Sequence, residues 1–333
     1  VSNTLGTITT EVDDMPYPPA VLDVADRVRN WGRWGADDEI GTLNLLTDEV
    51  VRAAAACIRT GRRFSLAFPL REDGLQTGAI PGRINPQRTM ICINANHTGD
   101  IETFATSDDL VTMGLQAGTH WDGLGHASYG GKIYNGRDAS VIDETGAREC
   151  GIEKVRSITG RGVLLDIARL HGVDVLEGDH AIGAEDLDAA AARQGVEIRS
   201  GDIVLVRTGR MRFARAGDMW GYLGQPDPEL GLPRTAGFGL TSALWLHEHD
   251  IAAVANDTIS FEVLPWDPAV PGAILPMHCI HLVDMGLTQG QNWDLEELAD
   301  DCAADGQYDF FLEASPQPFV GGVGSPVNPV AIK

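Results

Sequence analysis

The chain has 333 residues, 43% of them hydrophobic, 22% charged and 6% aromatic, which is the composition of a folded soluble protein and excludes disordered, collagenous and membrane-embedded classes. Lys and Arg total 25 against 48 Asp and Glu, a formal net charge of −23. A bulk electrostatic footprint for phosphate backbones or anionic lipid is therefore missing, and neither nucleic acid nor a membrane surface is an expected partner.

In chain order, residues 1–19 lack apolar periodicity and contain Pro16, Pro18 and Pro19. They read as an extended lead-in, within an N-terminal arm over residues 1–30 that precedes a single domain over residues 31–333. Glu11, Asp13 and Asp14 stand where a signal peptide would be basic and then apolar, so no signal peptide is expected. No run reaches the roughly 18 apolar residues of a spanning helix. Residues 47–61 (TDEVVRAAAACIRTG) combine an N-cap candidate, acidic residues in the first turn and a terminal glycine, which predicts a helix. Residues 63–69 (RFSLAFP) alternate like a strand.

Residues 89–95 and 109–115 are short apolar runs, the second leading into a histidine cluster. Residues 162–167 and 202–206 are continuous apolar runs of the buried-strand type, separated by a helical pattern at 184–194. That order is an α/β signature. A capped helix is expected at 241–249, then a strand at 251–255 with Asn256 and Asp257 at its carboxyl end, placed to line a site. Residues 264–276 form a Pro/Gly-rich loop, and 293–304 a final helix. The five cysteines lack CxxC spacing, and an odd number cannot all pair within one chain, which predicts a reduced, cytoplasmic protein.

The densest chemical signal is residues 116–126, QAGTHWDGLGH. In an extended segment His120 and Asp122 project to one face, and Gly118 lets the backbone bring Gln116 towards the same point. Imidazole nitrogen with carboxylate and carboxamide oxygen makes an N/O site suited to Zn or Mn, with positions left open for water and substrate. His126 is near enough in sequence to exchange a proton with an activated water. The predicted reaction is hydrolysis of a polarised carbonyl. No GxSxG elbow competes with this reading.

This segment resembles the H-x-G-T-H-x-D-x-P-x-H signature of the cyclase family, whose members include bacterial kynurenine formamidase and isatin hydrolase. Gly118, Thr119, His120, Asp122 and His126 match, whereas Gln116 replaces the first histidine and Leu124 the proline. The stretch RWGADDEIGTLN at 33–44 is similar to the RWGxDDExGTLN of longer members, and residues 160–167, 202–209 and 278–298 follow in the family's order. The resemblance implies a swivelling β/β/α fold, that is an α/β protein with a mixed central sheet and flanking helices, assembled as a homodimer or another homo-oligomer such as a tetramer. It also implies metal-dependent hydrolysis of an amide, imide or formamide bond in a small, cyclic or aromatic substrate.

In the family a later histidine and a glutamate about a dozen residues on complete a second metal position; the matching residues here are His278, with His281 as competitor, and Gln291. Two neutral carboxamides in place of an imidazole and a carboxylate weaken the ligand set, so a single divalent ion, Zn or Mn, is expected. Gln116, His120 and Asp122 would hold it, with His126 and Asp122 catalytic. His278 and Gln291 would face the substrate, together with Trp34, Tyr129 and Tyr134, whose alternative role is packing. Two other functions fit the same residues: a lactone hydrolase, and a small-molecule binding protein whose catalysis the two glutamines have extinguished.

Overall fold

The computed structural model describes residues 17–333. In chain order its main strands are β1 (Arg63–Ser65), β2 (Gln87–Asn96), β3 (Ala105–Thr112), β4 (His120–Asp122), β5 (Thr159–Asp166), β6 (Ile203–Arg207), β7 (Ala253–Asn256), β8 (Thr288–Gln291), β9 (Asp309–Glu313), β10 (Gly324–Pro326) and β11 (Val330–Ile332). The principal helices are α1 (Pro19–Val28), α2 (Asp48–Ala54), α3 (Ala184–Gln194), α4 (Ser242–Glu248) and α5 (Glu296–Asp305). Nine of the strands make one mixed sheet in the order β1-β11-β9-β5-β6-β7-β8-β4-β10. The run β5-β6-β7-β8 is parallel, and antiparallel strands extend it on both sides. This is the expected α/β architecture with a mixed central sheet.

The apolar runs become the parallel centre because both faces of those strands are covered. Val163, Leu165, Val204, Val206 and Val254 pack with α1, α3 and α4 on one side. The alternate residues Leu164, Ile203, Leu205, Ala253 and Ala255 pack with α5, Trp121 and Trp293 on the other. The helix expected at 47–61 begins on Thr47, whose side chain accepts from the Val50 N–H, but its α-helical part ends at Ala54 and a 3₁₀ turn over Ala55–Cys57 completes it.

Within the segment expected as an arm, residues 1–16 lie outside the described residues and Pro19–Val28 is a helix. Pro19 occupies a first-turn position where its missing N–H is harmless. Val21, Val24, Ala25 and Val28 then fall on one face and are buried in the core. The runs at 89–95 and 109–115 pair with each other as the hairpin β2-β3, outside the main sheet. That hairpin stands clear of the core, with Ile91 62% and Ile93 69% exposed. All five cysteines are free thiols. Among the described residues, no helix is long and apolar enough to cross a membrane.

Candidate metal centre

The site starts from β4, a three-residue strand paired on both edges. It runs antiparallel to β8, with Gln289 opposite Asp122 and Gln291 opposite His120, and antiparallel to β10, with Gly324 opposite Asp122. Strand alternation sends His120 and Asp122 to one face and Trp121 to the other. Trp121 is fully buried, donates from Nε1 to the Ala314 carbonyl at 2.7 Å, and meets the Trp293 ring edge-on at 4.8 Å. The same alternation places Gln289 and Gln291 on the face of the imidazole and carboxylate.

His120 and Asp122 are both completely buried. The His120 Nδ1 lies 2.8 Å from the Gly118 carbonyl and donates to it, so Nε2 carries the free lone pair. That Nε2 lies 3.4 Å from Asp122 Oδ1. Neither atom has a hydrogen-bond partner, which is rare for buried polar groups unless something absent from the protein satisfies them. His126 is returned to the same point by a turn in which its N–H donates to the Gly123 carbonyl at 2.9 Å. Its Nε2 stands 3.6 Å from Asp122 Oδ1, and its side chain is partly open to solvent.

The second carboxylate oxygen is differently placed. Asp122 Oδ2 accepts from Gln291 Nε2 at 2.6 Å and from Gln289 Nε2 at 3.3 Å. One oxygen is therefore taken up by amides, while the other faces two imidazoles. Burial alone would raise the Asp122 pKa, but the imidazoles of His126, His120 and His278 outweigh it and hold the carboxyl far below the usual carboxylate range.

His278 reaches the site from the helical turn Pro276–His278, which leads directly into a π-helix, Cys279–Met285. Glu262 anchors this start: its carboxylate accepts from the N–H groups of Met277 (3.0 Å) and His278 (3.1 Å) and from His278 Nδ1 at 2.5 Å. His278 Nε2 then faces Gln291 Nε2 at 3.2 Å and Asp122 Oδ2 at 3.9 Å. Burial lowers the His278 pKa, but the Glu262 hydrogen bond and charge override it, so the net shift is upward. His281 lies behind this layer, fully buried, with Nδ1 3.2 Å from Gln289 Oε1. Burial pushes its pKa down to about 3, so it is neutral.

The structure thus brings together His120, Asp122, His126, His278 and Gln291. Gln116 sits beside them over Gly324, where a Cβ would stand 2.6 Å from Gln116 Nε2; a glycine at this point of β10 leaves the room for that carboxamide. Trp34, Tyr129 and Tyr134 are engaged elsewhere. Trp34 stacks with the Arg33 guanidinium (4.8 Å), which is paired with Asp250 (2.7 Å) at the opposite end of β7 from Asn256. Tyr129 donates to Asp284 at 2.5 Å, and the fully buried Tyr134 donates to Asp38 at 2.8 Å. Asn256 and Asp257 are buried brackets rather than site walls: Asn256 donates to the Phe261 carbonyl, and Asp257 accepts from the N–H groups of Thr208 and Gly209.

Four contributors carry no sequence signal of their own kind. Gln289 was legible only as the same-face neighbour two residues before Gln291. Glu262 arrives through Phe261, whose φ of 65° turns the chain. Asn292 donates to the Gly118 carbonyl at 2.8 Å and so helps to set His120. Arg83 makes no ion pair among the described residues, and its charge is felt by Asp122, His126 and His278.

Residues 64–263, more than half of the chain, match the model of the Cyclase family, described as "Putative cyclase". The chain belongs to the cyclase family. A crystal structure described as a novel cyclase is 39% identical, covers 93% of this chain and 99% of its own, and superposes with a TM-score of 0.81. Isatin hydrolase A from Labrenzia aggregata, bound to benzyl benzoate, shares the fold at 18% identity and a TM-score of 0.59, covering 87% of this chain and 98% of its own. Isatin hydrolase A from Ralstonia solanacearum does so at 20% identity and a TM-score of 0.58, covering 86% and 98%. No curated protein matches the chain significantly. Within the family signature this cyclase carries Gln116 and Leu124 at the two departures noted above; Leu124 is buried in the small cluster behind the turn to His126.

Proposed function

We propose that this cyclase is a metal-dependent hydrolase of a C–N amide, imide or formamide bond in a small, cyclic or aromatic molecule. The observation behind this reading is the pair of buried, partnerless atoms His120 Nε2 and Asp122 Oδ1, 3.4 Å apart and supported by the Gly118 carbonyl. Their donor set is that of a divalent N/O site. His120, Asp122 and the Gln116 carboxamide would hold one Zn or Mn ion. When bound, such an ion polarises the scissile carbonyl and lowers the pKa of the attacking water.

The chain's own groups divide the remaining work. His126, partly open to solvent and beside the same carboxylate oxygen, accepts the proton of the attacking water and returns it to the departing nitrogen. Gln289 and Gln291 fix the Asp122 carboxylate and occupy the oxygen through which it could bridge to a second cation. His278, clamped by Glu262, and Gln291 orient the substrate. Two of the structural neighbours are isatin hydrolases by name, and isatin-type cyclic amides therefore head the substrate set.

The test is metal-stripped enzyme, with and without added Zn or Mn, against N-formyl amides, isatin-type imides and lactones. Metal-restored turnover of the first two classes is the expected result. Turnover of lactones alone would make the protein a lactonase, and metal uptake with no turnover would make it a binding protein.

His126 also sets a pH dependence. The Asp122 charge raises its pKa, but burial together with His278, His120 and Arg83 outweighs that, and the net shift is below 6.5. A cation beside it acts in the same direction. His126 is therefore the free base at neutral pH, and kcat should fall as pH drops through a value under 6.5, because protonation removes the acceptor. His126→Gln should slow turnover by about 10²–10⁴-fold and erase that acid limb, as read from a pH–rate profile; an unchanged limb would assign it to another group.

A further inference from the structure

A second group of potential ligands lies away from this centre, on the α3 side of the sheet. His171 follows the short helical turn Ile167–Leu170, His180 precedes the two-residue strand Ala181–Ile182, and Asp186 stands in the first turn of α3. The two imidazoles approach one carboxylate from opposite sides: His171 Nε2 is 2.8 Å from Asp186 Oδ1, and His180 Nε2 is 2.9 Å from Asp186 Oδ2. Their rings meet edge to face at 4.7 Å. One ligand atom from each of the three residues lies within 4.8 Å of the others.

We propose that His171, His180 and Asp186 form a second divalent transition-metal site, separate from the His120–Asp122 centre. Two imidazole nitrogens and a carboxylate oxygen are a complete three-ligand set for Zn, with solvent as the fourth. Donors around a tetrahedral zinc are ~3.3 Å apart, so the cluster closes by a modest side-chain rotation. All three side chains are partly exposed and free to make it. Zinc takes the Nε2 lone pair of each imidazole, and the proton that now bridges to the carboxylate moves to Nδ1 of a neutral ring or, from a protonated ring, to solvent. Because the ligands come from three separate chain segments, the bound ion staples the end of the turn after β5 to the start of α3.

This reading is independent of the proposed function, since its readout is a difference in stoichiometry. Metal-stripped full-length protein is titrated with ZnCl₂ by calorimetry, alongside His171→Gln/His180→Gln. The wild type should bind one zinc equivalent more than the double variant, whether or not the other centre fills. The single His171→Gln change, at a half-exposed position that leaves folding intact, should weaken that equivalent by about 10–100-fold or more. Zinc should also raise the Tm of the wild type more than that of the double variant. Equal stoichiometry and equal Tm shifts in the two proteins would overturn the site.

Discussion

Asp122→Asn is expected to abolish bound metal at the His120 centre and turnover together while leaving the fold intact. The Asp122 side chain has two different oxygens. Oδ2 already accepts from the Gln291 and Gln289 amides, and Oδ1 faces His120 Nε2 with no partner. An asparagine in this place keeps its carbonyl oxygen towards the two glutamine donors and turns its NH₂ towards His120. That puts a hydrogen-bond donor where a cation needs a lone pair. The loss in kcat/KM should reach at least about 10³-fold, roughly 4 kcal/mol of barrier. The metal-free variant should still fold, because asparagine is nearly isosteric, but melt below the metal-free wild type, because the imidazoles that hold the Asp122 carboxyl ionised no longer face that charge. His120→Ala should show the same coincidence of lost metal and lost rate. Metal analysis beside steady-state kinetics checks both; a metal-free Asp122→Asn enzyme turning over near the wild-type rate would remove the ion from the reaction.

The second large effect is expected from Gln291→Glu. Gln291 Nε2 lies 2.6 Å from Asp122 Oδ2 and 3.2 Å from His278 Nε2. A carboxylate there replaces a donated hydrogen bond with two anions in contact in a buried setting. In chelator the variant should lose about 3–5 kcal/mol of stability at neutral pH, seen as a Tm lowered by several degrees or more. Added Zn should restore it, since the introduced carboxylate and His278 would then hold a second cation with Asp122 between the two. The variant should bind one more equivalent at this centre than the wild type. If its metal content stayed at the wild-type value, the glutamine would not be what limits the centre to one ion.

How much of this was legible beforehand depended on whether the signal was local. The parallel centre was readable because Val163 to Leu165 and Val204 to Val206 are covered on both faces and need no polar residue. His120 and Asp122 were readable because two-residue alternation is enough to put them on one face. The exposed β2-β3 hairpin was not, since its isoleucines look like core and nothing local says that the ribbon leaves the sheet. Nor was the grip of Glu262 on His278, which joins residues 16 positions apart through a left-handed turn at Phe261. Tyr134 suited a pocket by residue type, but its fate was fixed by Asp38, 96 positions away; Trp34 stacks on its neighbour Arg33, whose own pairing with the distant Asp250 only tertiary contact reveals.

Because β4 is held on both edges and backed by Trp121 against Trp293, the spacing of its ligand atoms is inherited from the far side of the sheet. Repacking that indole pair would tilt the strand and move His120 and Asp122 unequally, changing the 3.4 Å opening between His120 Nε2 and Asp122 Oδ1. If the proposed ion binds here, its identity would depend on the hydrophobic interior as much as on the groups that would touch it.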